Sequence, residues 1–133
     1  MGDDPLADLL VKKEDLDRKL LAEVLTPYVK LDQDSGTVIP TPSFARLTNA
    51  SKILVFLLGR KAAKSLNLLS EPEERTPKEI ATLTGINHDS VKPTLSTLYK
   101  ARKVQKAGNS YFVPDHAILT IREDLDKPTR PGA

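Results

Sequence analysis

Leucines return at Leu6, Leu9, Leu10, Leu16, Leu20, Leu21 and Leu25, and their recurrence on one side of a helical projection predicts a helix over residues 6–25. A loose Asp3-Asp4-Pro5 start precedes it and Pro27 ends it, because proline cannot continue the backbone ladder. The pattern then changes period. Tyr28 to Asp32 and Thr37 to Ile39 are short β-like runs joined by Gln33-Asp34-Ser35-Gly36, which predicts a hairpin stopped by Pro40 and Pro42. Helical spacing resumes with Ile53, Leu54, Leu57, Leu58, Ala62 and Leu66 as a buried stripe, capped by Asn49 or Ser51. Ser70 to Arg75 reads as an exposed acidic loop.

The stretch from Thr76 is the most clearly specified. Thr76 and Glu79 have the three-residue spacing of a capping box, and Pro77 stands at the first helical position, where its missing N–H is not needed. Ile80, Ala81 and Leu83 give a short apolar face, and Gly85 supplies the positive φ that ends the helix. Ile86 is a plug between two helices, and Asn87 caps the second, with Asp89 and Ser90 in its first turn. Val91, Leu95, Leu98 and Arg102 then share one face at spacings of four, three and four. A hairpin follows, with a turn at Lys106 to Ser110 and a returning strand at Tyr111-Phe112-Val113. Asp115 can cap a last helix from about His116 to Leu125, although Ala117 to Ile121 also fits a strand. From Lys127 the prolines and glycine predict a disordered tail.

Ile80-Ala81, Gly85-Ile86 and Val91 resemble the apolar-Ala, Gly-apolar and Val pattern of prokaryotic helix-turn-helix regulators. Val91 to Val104 is similar to the recognition helix and first wing strand of bacterial and archaeal winged-helix transcription regulators, and Lys106 to Val113 looks like the wing turn and its return. The resemblance covers residues 51–114. It implies a winged helix-turn-helix domain (51–125) and says little of the first 50 residues; joined to the N-terminal helix and β-hairpin extension (1–50) and the tail (126–133) read from the pattern above, the expected fold is α+β and mainly helical. It further implies a transcriptional regulator that binds double-stranded DNA. The helix from Asn87 would enter the major groove and the wing near Gly108 would lie on a neighbouring backbone. Such readers commonly bind as dimers, and the N-terminal helix, the 53–66 helix or the last helix could supply the interface. Winged helices also serve as protein-interaction or assembly modules, which stays open as the alternative.

Composition narrows this picture. The chain has 133 residues, enough for one domain with a core. The absence of cysteine removes disulfides and thiolate metal sites and fits a reducing cytosol, so a cytoplasmic location is expected. No apolar run approaches a membrane span, and the N-terminus lacks the pattern of a signal peptide. Met1-Gly2 opens like a myristoylation motif, but Leu6 stands where the motif needs Ser or Thr. The net charge of +2 conceals an uneven distribution, with −3 over residues 1–50 and +4 over each of 51–69 and 76–113. Such basic segments suit a phosphate backbone, whose counterions they release.

The candidate DNA contacts are Asn87, His88, Ser90, Lys92, Thr94, Ser96, Thr97, Lys100, Lys103, Lys106 and Asn109. For the lysines, a solvated helix face competes with phosphate contact, and the same holds more strongly for Arg60, Lys61 and Lys64. Of Tyr111 and Phe112, one is expected under the wing and one exposed. Pro93 centres the outward arc beside Asp89, and no arginine occupies the first turns, which weakens base-specific readout. With two histidines and no cysteine, no metal or cofactor is expected. The carboxylates lie in surface-like runs without a histidine or nucleophile at a useful spacing, so no enzyme is expected.

Overall fold

The structure, a computed structural model, describes residues 4–126. The expected tail from Lys127 and the opening Met1 to Asp3 lie outside the described residues. The first helix, α1, spans Lys13–Leu25 and not residues 6–25. Asp4 caps Pro5, which opens a separate 3-10 turn over Pro5–Leu9, and extended backbone at Leu10 and Lys12 breaks the ladder before α1 begins. Glu14 and Asp15 in the first turn favour a start there through the helix dipole. The apolar contacts therefore split. Leu20, Leu21, Val24 and Leu25 are buried, whereas Leu6, Leu9, Leu10 and Leu16 are 66%, 73%, 80% and 42% exposed.

The first hairpin follows its sequence pattern. Strands β1 (Val29–Leu31) and β2 (Val38–Pro40) pair antiparallel with Lys30 opposite Ile39. The Asp32 carboxylate accepts from the Ser35 hydroxyl and amide, both at 2.7 Å, and from the Asp34 amide at 3.2 Å, closing the turn. Pro40 ends β2 from inside the strand, which a two-stranded ribbon tolerates.

Helix α2 (Asn49–Ser65) is the centre of the molecule. Its cap is Thr48, one residue ahead of Asn49 and three ahead of Ser51, the two expected caps, with the Ser51 amide donating to the Thr48 hydroxyl oxygen at 3.2 Å. Every residue from Ile53 to Lys61 is buried, including Val55 and Phe56 outside the expected stripe, because other elements surround the helix. Leu66, expected in the stripe, caps the end at 49% exposure. Gly59 lets β2 approach closely, since a Cβ there would stand 2.9 Å from Val38 Cγ2.

Helices α3 (Pro77–Thr84) and α4 (His88–Lys100) follow, then the antiparallel hairpin β3 (Gln105–Ala107) and β4 (Ser110–Phe112). Arg75 adds an antiparallel bridge on the outer side of β4, exchanging backbone bonds of 3.0 and 2.8 Å with Tyr111. The last segment is helical: a 3-10 turn at Asp115–Ala117 leads into α5 (Ile118–Asp126), with Ile118 and Ile121 fully buried. Asp115 does not cap it. Its carboxylate meets Lys61 at 3.1 Å and Lys13 at 3.6 Å.

The chain is thus mainly helical, α+β, with two small antiparallel hairpins. One apolar cluster runs from Leu20 of α1 through α2, α3 and α4 to Ile121 of α5. Among the described residues, no helix is long and apolar enough to cross a membrane.

Candidate nucleic-acid interface

The α3–turn–α4 unit is assembled by local bonds. The Glu79 amide donates to the Thr76 hydroxyl oxygen at 3.2 Å, and the Thr76 amide donates to Glu79 Oε1 at 3.0 Å. The Thr76 amide, with Arg75 Nη1 at 2.8 Å from Glu79 Oε2, holds the Glu79 carboxyl below its ordinary range. Gly85 adopts φ +77° with open space around the position of its missing Cβ, and its amide closes on the Ala81 carbonyl at 3.0 Å. Asn87 Oδ1 accepts from the Asp89 amide at 2.9 Å and starts α4. Ile80, Ala81, Ile86, Val91, Leu95 and Leu98 are buried as the sequence implies. Two residues of the expected seam are not. Leu83 is 54% exposed, and Arg102 is exposed beyond the end of α4, where its φ of +62° turns the chain toward β3.

The outward side of α4 carries His88, Asp89, Lys92, Pro93, Ser96, Thr97, Tyr99 and Lys100, all exposed. Lys92 and Lys100 make no ion pair among the described residues. Ser90 and Thr94 are half-buried, and the hydroxyls of Thr94 and Thr97 donate back to the carbonyls of Ser90 (2.7 Å) and Pro93 (3.2 Å). Their oxygens remain available only as acceptors. The helix runs unbroken through Pro93. Asn87 is exposed at the cap, and Asn109 is exposed beside Gly108 at the tip of the β3–β4 hairpin.

The other cations divide sharply. Lys103 pairs with Asp124 of α5 and so is tied to the body of the protein. Lys106 stands 5.4 Å from the Tyr111 ring centre and 5.7 Å from that of Tyr99, within cation–π range of both. Tyr111 and Phe112 are both half-buried, so neither is the freely exposed ring expected of the pair. Arg60 and Lys61, expected on a solvated face, are only 7% and 9% exposed. Arg60 donates to the carbonyls of Pro72 (2.9 Å) and Glu73 (3.1 Å) and meets Glu71 at 3.3 Å; Lys61 bridges Glu73 and Asp115. Two of the four cations at 51–69, Arg60 and Lys61, are thus bound to carboxylates, while Lys64 donates to the carbonyls of Leu69 (3.4 Å) and Glu71 (3.2 Å).

Lys92 and Lys100 on α4, Arg102 beyond its end and Lys106 on β3 are all exposed, and Tyr99 (49% exposed) links three of them, with Lys106 Nζ 5.7 Å from its ring centre and Lys100 and Arg102 beside it. Tyr99 and Arg102 carried no DNA assignment from sequence. Arg102 is exposed because the helix ends at Lys100, two residues before the seam would have reached it, whereas Tyr99 lies within α4 on its outward side. A shallow groove lined by Tyr99, Lys100, Arg102, Val104, Gln105 and His116 continues this surface toward α5. Among the described residues, no group of three or more His, Asp or Glu side chains is disposed to hold a metal ion.

No family model, no curated protein and no solved structure matches the chain.

Proposed function

We propose that the chain is a winged helix-turn-helix protein that binds duplex DNA as a transcriptional regulator. The observation that carries this is a contrast of charge. Arg60, Lys61, Arg75 and Lys103 are bound to carboxylates, whereas Lys92 and Lys100 stand exposed on α4 without an acidic partner among the described residues. Order of elements supports it too: a capped helix, a glycine turn, a second helix and a hairpin, with Arg75 paired to the hairpin's outer strand.

In this reading α4 enters the major groove, and Lys92, Lys100 and Lys106 neutralise phosphates along its edges. Pro93 at the centre of the outward arc has no donor, and Asp89 repels phosphate, so grip on the backbone dominates over base readout. Ser96 and Thr97 are the polar side chains nearest to a base edge, and the methyl of Thr97 suits a thymine methyl.

The test is amide chemical-shift mapping of the labelled protein titrated with a short duplex at low salt. Perturbations gathered on residues 87–101 and 106–110 support the reading. The alternative, a winged helix used as an assembly module, has one observation in its favour, the apolar residues Leu6, Leu9, Leu10 and Val11 left uncovered ahead of α1. Shifts absent from α4 at any duplex concentration would favour that module over DNA binding.

A further inference from the structure

Residues 4–11 form an arm that makes no hydrogen bond or ion pair to the rest of the chain among the described residues. Its bonds close on itself: the Leu6 amide donates to Asp4 Oδ1 at 2.9 Å, Ala7 to the Asp4 carbonyl at 2.9 Å and Leu10 to the Ala7 carbonyl at 3.0 Å. Leu6, Leu9, Leu10 and Val11 are 64% to 80% exposed. Four large apolar side chains within six residues, all facing solvent, form an uncovered apolar patch.

The same chain carries an apolar groove. It lies between α1, β1 and the end of α2, has a volume of about 400 Å³, and is lined by Leu21, Ala22, Leu25, Val29, Leu31 and Leu66. Arg18 and Lys30 stand at its rim. Arg18 donates to the Ser65 carbonyl at 3.2 Å, and neither cation meets a carboxylate among the described residues. The arm bears the opposite charge, since Asp4 and Asp8 are exposed and enter no ion pair among the described residues.

We infer that the arm of one chain seats in this groove of a second copy, and that the exchange is reciprocal. The apolar arm fits an apolar trough, and the acids at the arm fall to the cations at the rim. Extended backbone at Leu10 and Lys12 makes the arm a limb separate from α1, so occupying its own groove would require it to double back along that helix. An isologous pair follows from reciprocity. None of the groove residues belongs to α3, α4 or the second hairpin, so the pair leaves the cationic surface open.

Sedimentation velocity on the full chain tests this without DNA. The wild type should sediment as two chains at micromolar to tens of micromolar concentration. Leu9→Asp with Leu10→Asp should sediment as one chain, and so should Ala22→Glu. All three positions are exposed in the monomer, so circular dichroism should show unchanged helix in each variant. Mixing the arm variant with the groove variant restores one intact arm and one intact groove, and a two-chain species should reappear. A monomeric wild type overturns the inference, including the case in which the arm variant loses thermal stability because the arm binds its own groove. A dimer that survives both sets of substitutions overturns it as well.

Discussion

Substituting Gly59 by alanine tests how α2 carries the first hairpin, and the expected sign depends on one neighbour. Gly59 is buried within α2, where alanine is intrinsically favoured by about 1 kcal/mol. Against that, the new Cβ would stand 2.9 Å from Val38 Cγ2 and 3.2 Å from Val38 Cγ1. Overpacking of this kind costs about 1–3 kcal/mol, because β2 or α2 must shift. The net expectation is a loss of about 0–2 kcal/mol, a fall of up to roughly 8 °C in Tm for a domain of this size. Val38→Ala removes both Cγ atoms and leaves Val38 Cβ at 3.7 Å, an ordinary contact. In that background Gly59→Ala should become stabilising, by up to about 1 kcal/mol. Urea unfolding of the four proteins in the cycle gives the coupling directly. If Gly59→Ala stabilises the otherwise unaltered protein, or has the same effect in both backgrounds, the packing of β2 on α2 described above is wrong.

Three further outcomes follow from other elements. Thr76→Ala removes the hydroxyl half of the capping box and should cost about 1 kcal/mol in urea unfolding; no loss would mean that the α3 cap does not stabilise the fold. Leu95→Ala, at a fully buried position of α4, should cost about 2–5 kcal/mol, and a loss below the Thr76 effect would contradict its place in the core. Asp115 is held below its ordinary range chiefly by its bond to Lys61, and Glu79 chiefly by the Thr76 amide. Depressed carboxylates contribute stability that is complete above their unfolded pKa, near 4, and lost as pH falls through the depressed values. Unfolding midpoints should therefore drop on acidification from about pH 6 to pH 3, and Lys61→Met should make that drop shallower; an unchanged slope in the variant would refute the pairing.

Local signals made α3, its turn and α4 legible. Thr76, Glu79, Gly85 and Asn87 each bond within four residues, so their spacing in sequence already states the geometry. The β1–β2 hairpin was legible for the same reason, with Asp32 closing its own turn. The start of α1 was not, because leucines spaced for a helix do not reveal whether anything lies opposite them. Arg60 and Lys61 were misplaced because their partners lie 11 to 54 residues away, and sequence spacing carries no trace of such pairings. The Arg75–Tyr111 bridge is equally long-range. Of the candidate site, the exposure of Lys92, Lys100 and Asn109 follows from helix phase and turn position, whereas the Lys103–Asp124 pair depends on how α5 folds back.

Duplex affinity measured as a function of salt tests the DNA-binding proposal most directly. Fluorescence anisotropy with a labelled duplex should give log K falling linearly with log salt concentration. Lys92→Ala, Lys100→Ala and Lys106→Ala combined should weaken binding similarly for unrelated sequences and reduce that slope by about 2 to 3. Binding whose affinity and salt slope are unchanged in the triple variant, or no binding by the wild type at low salt, would contradict it.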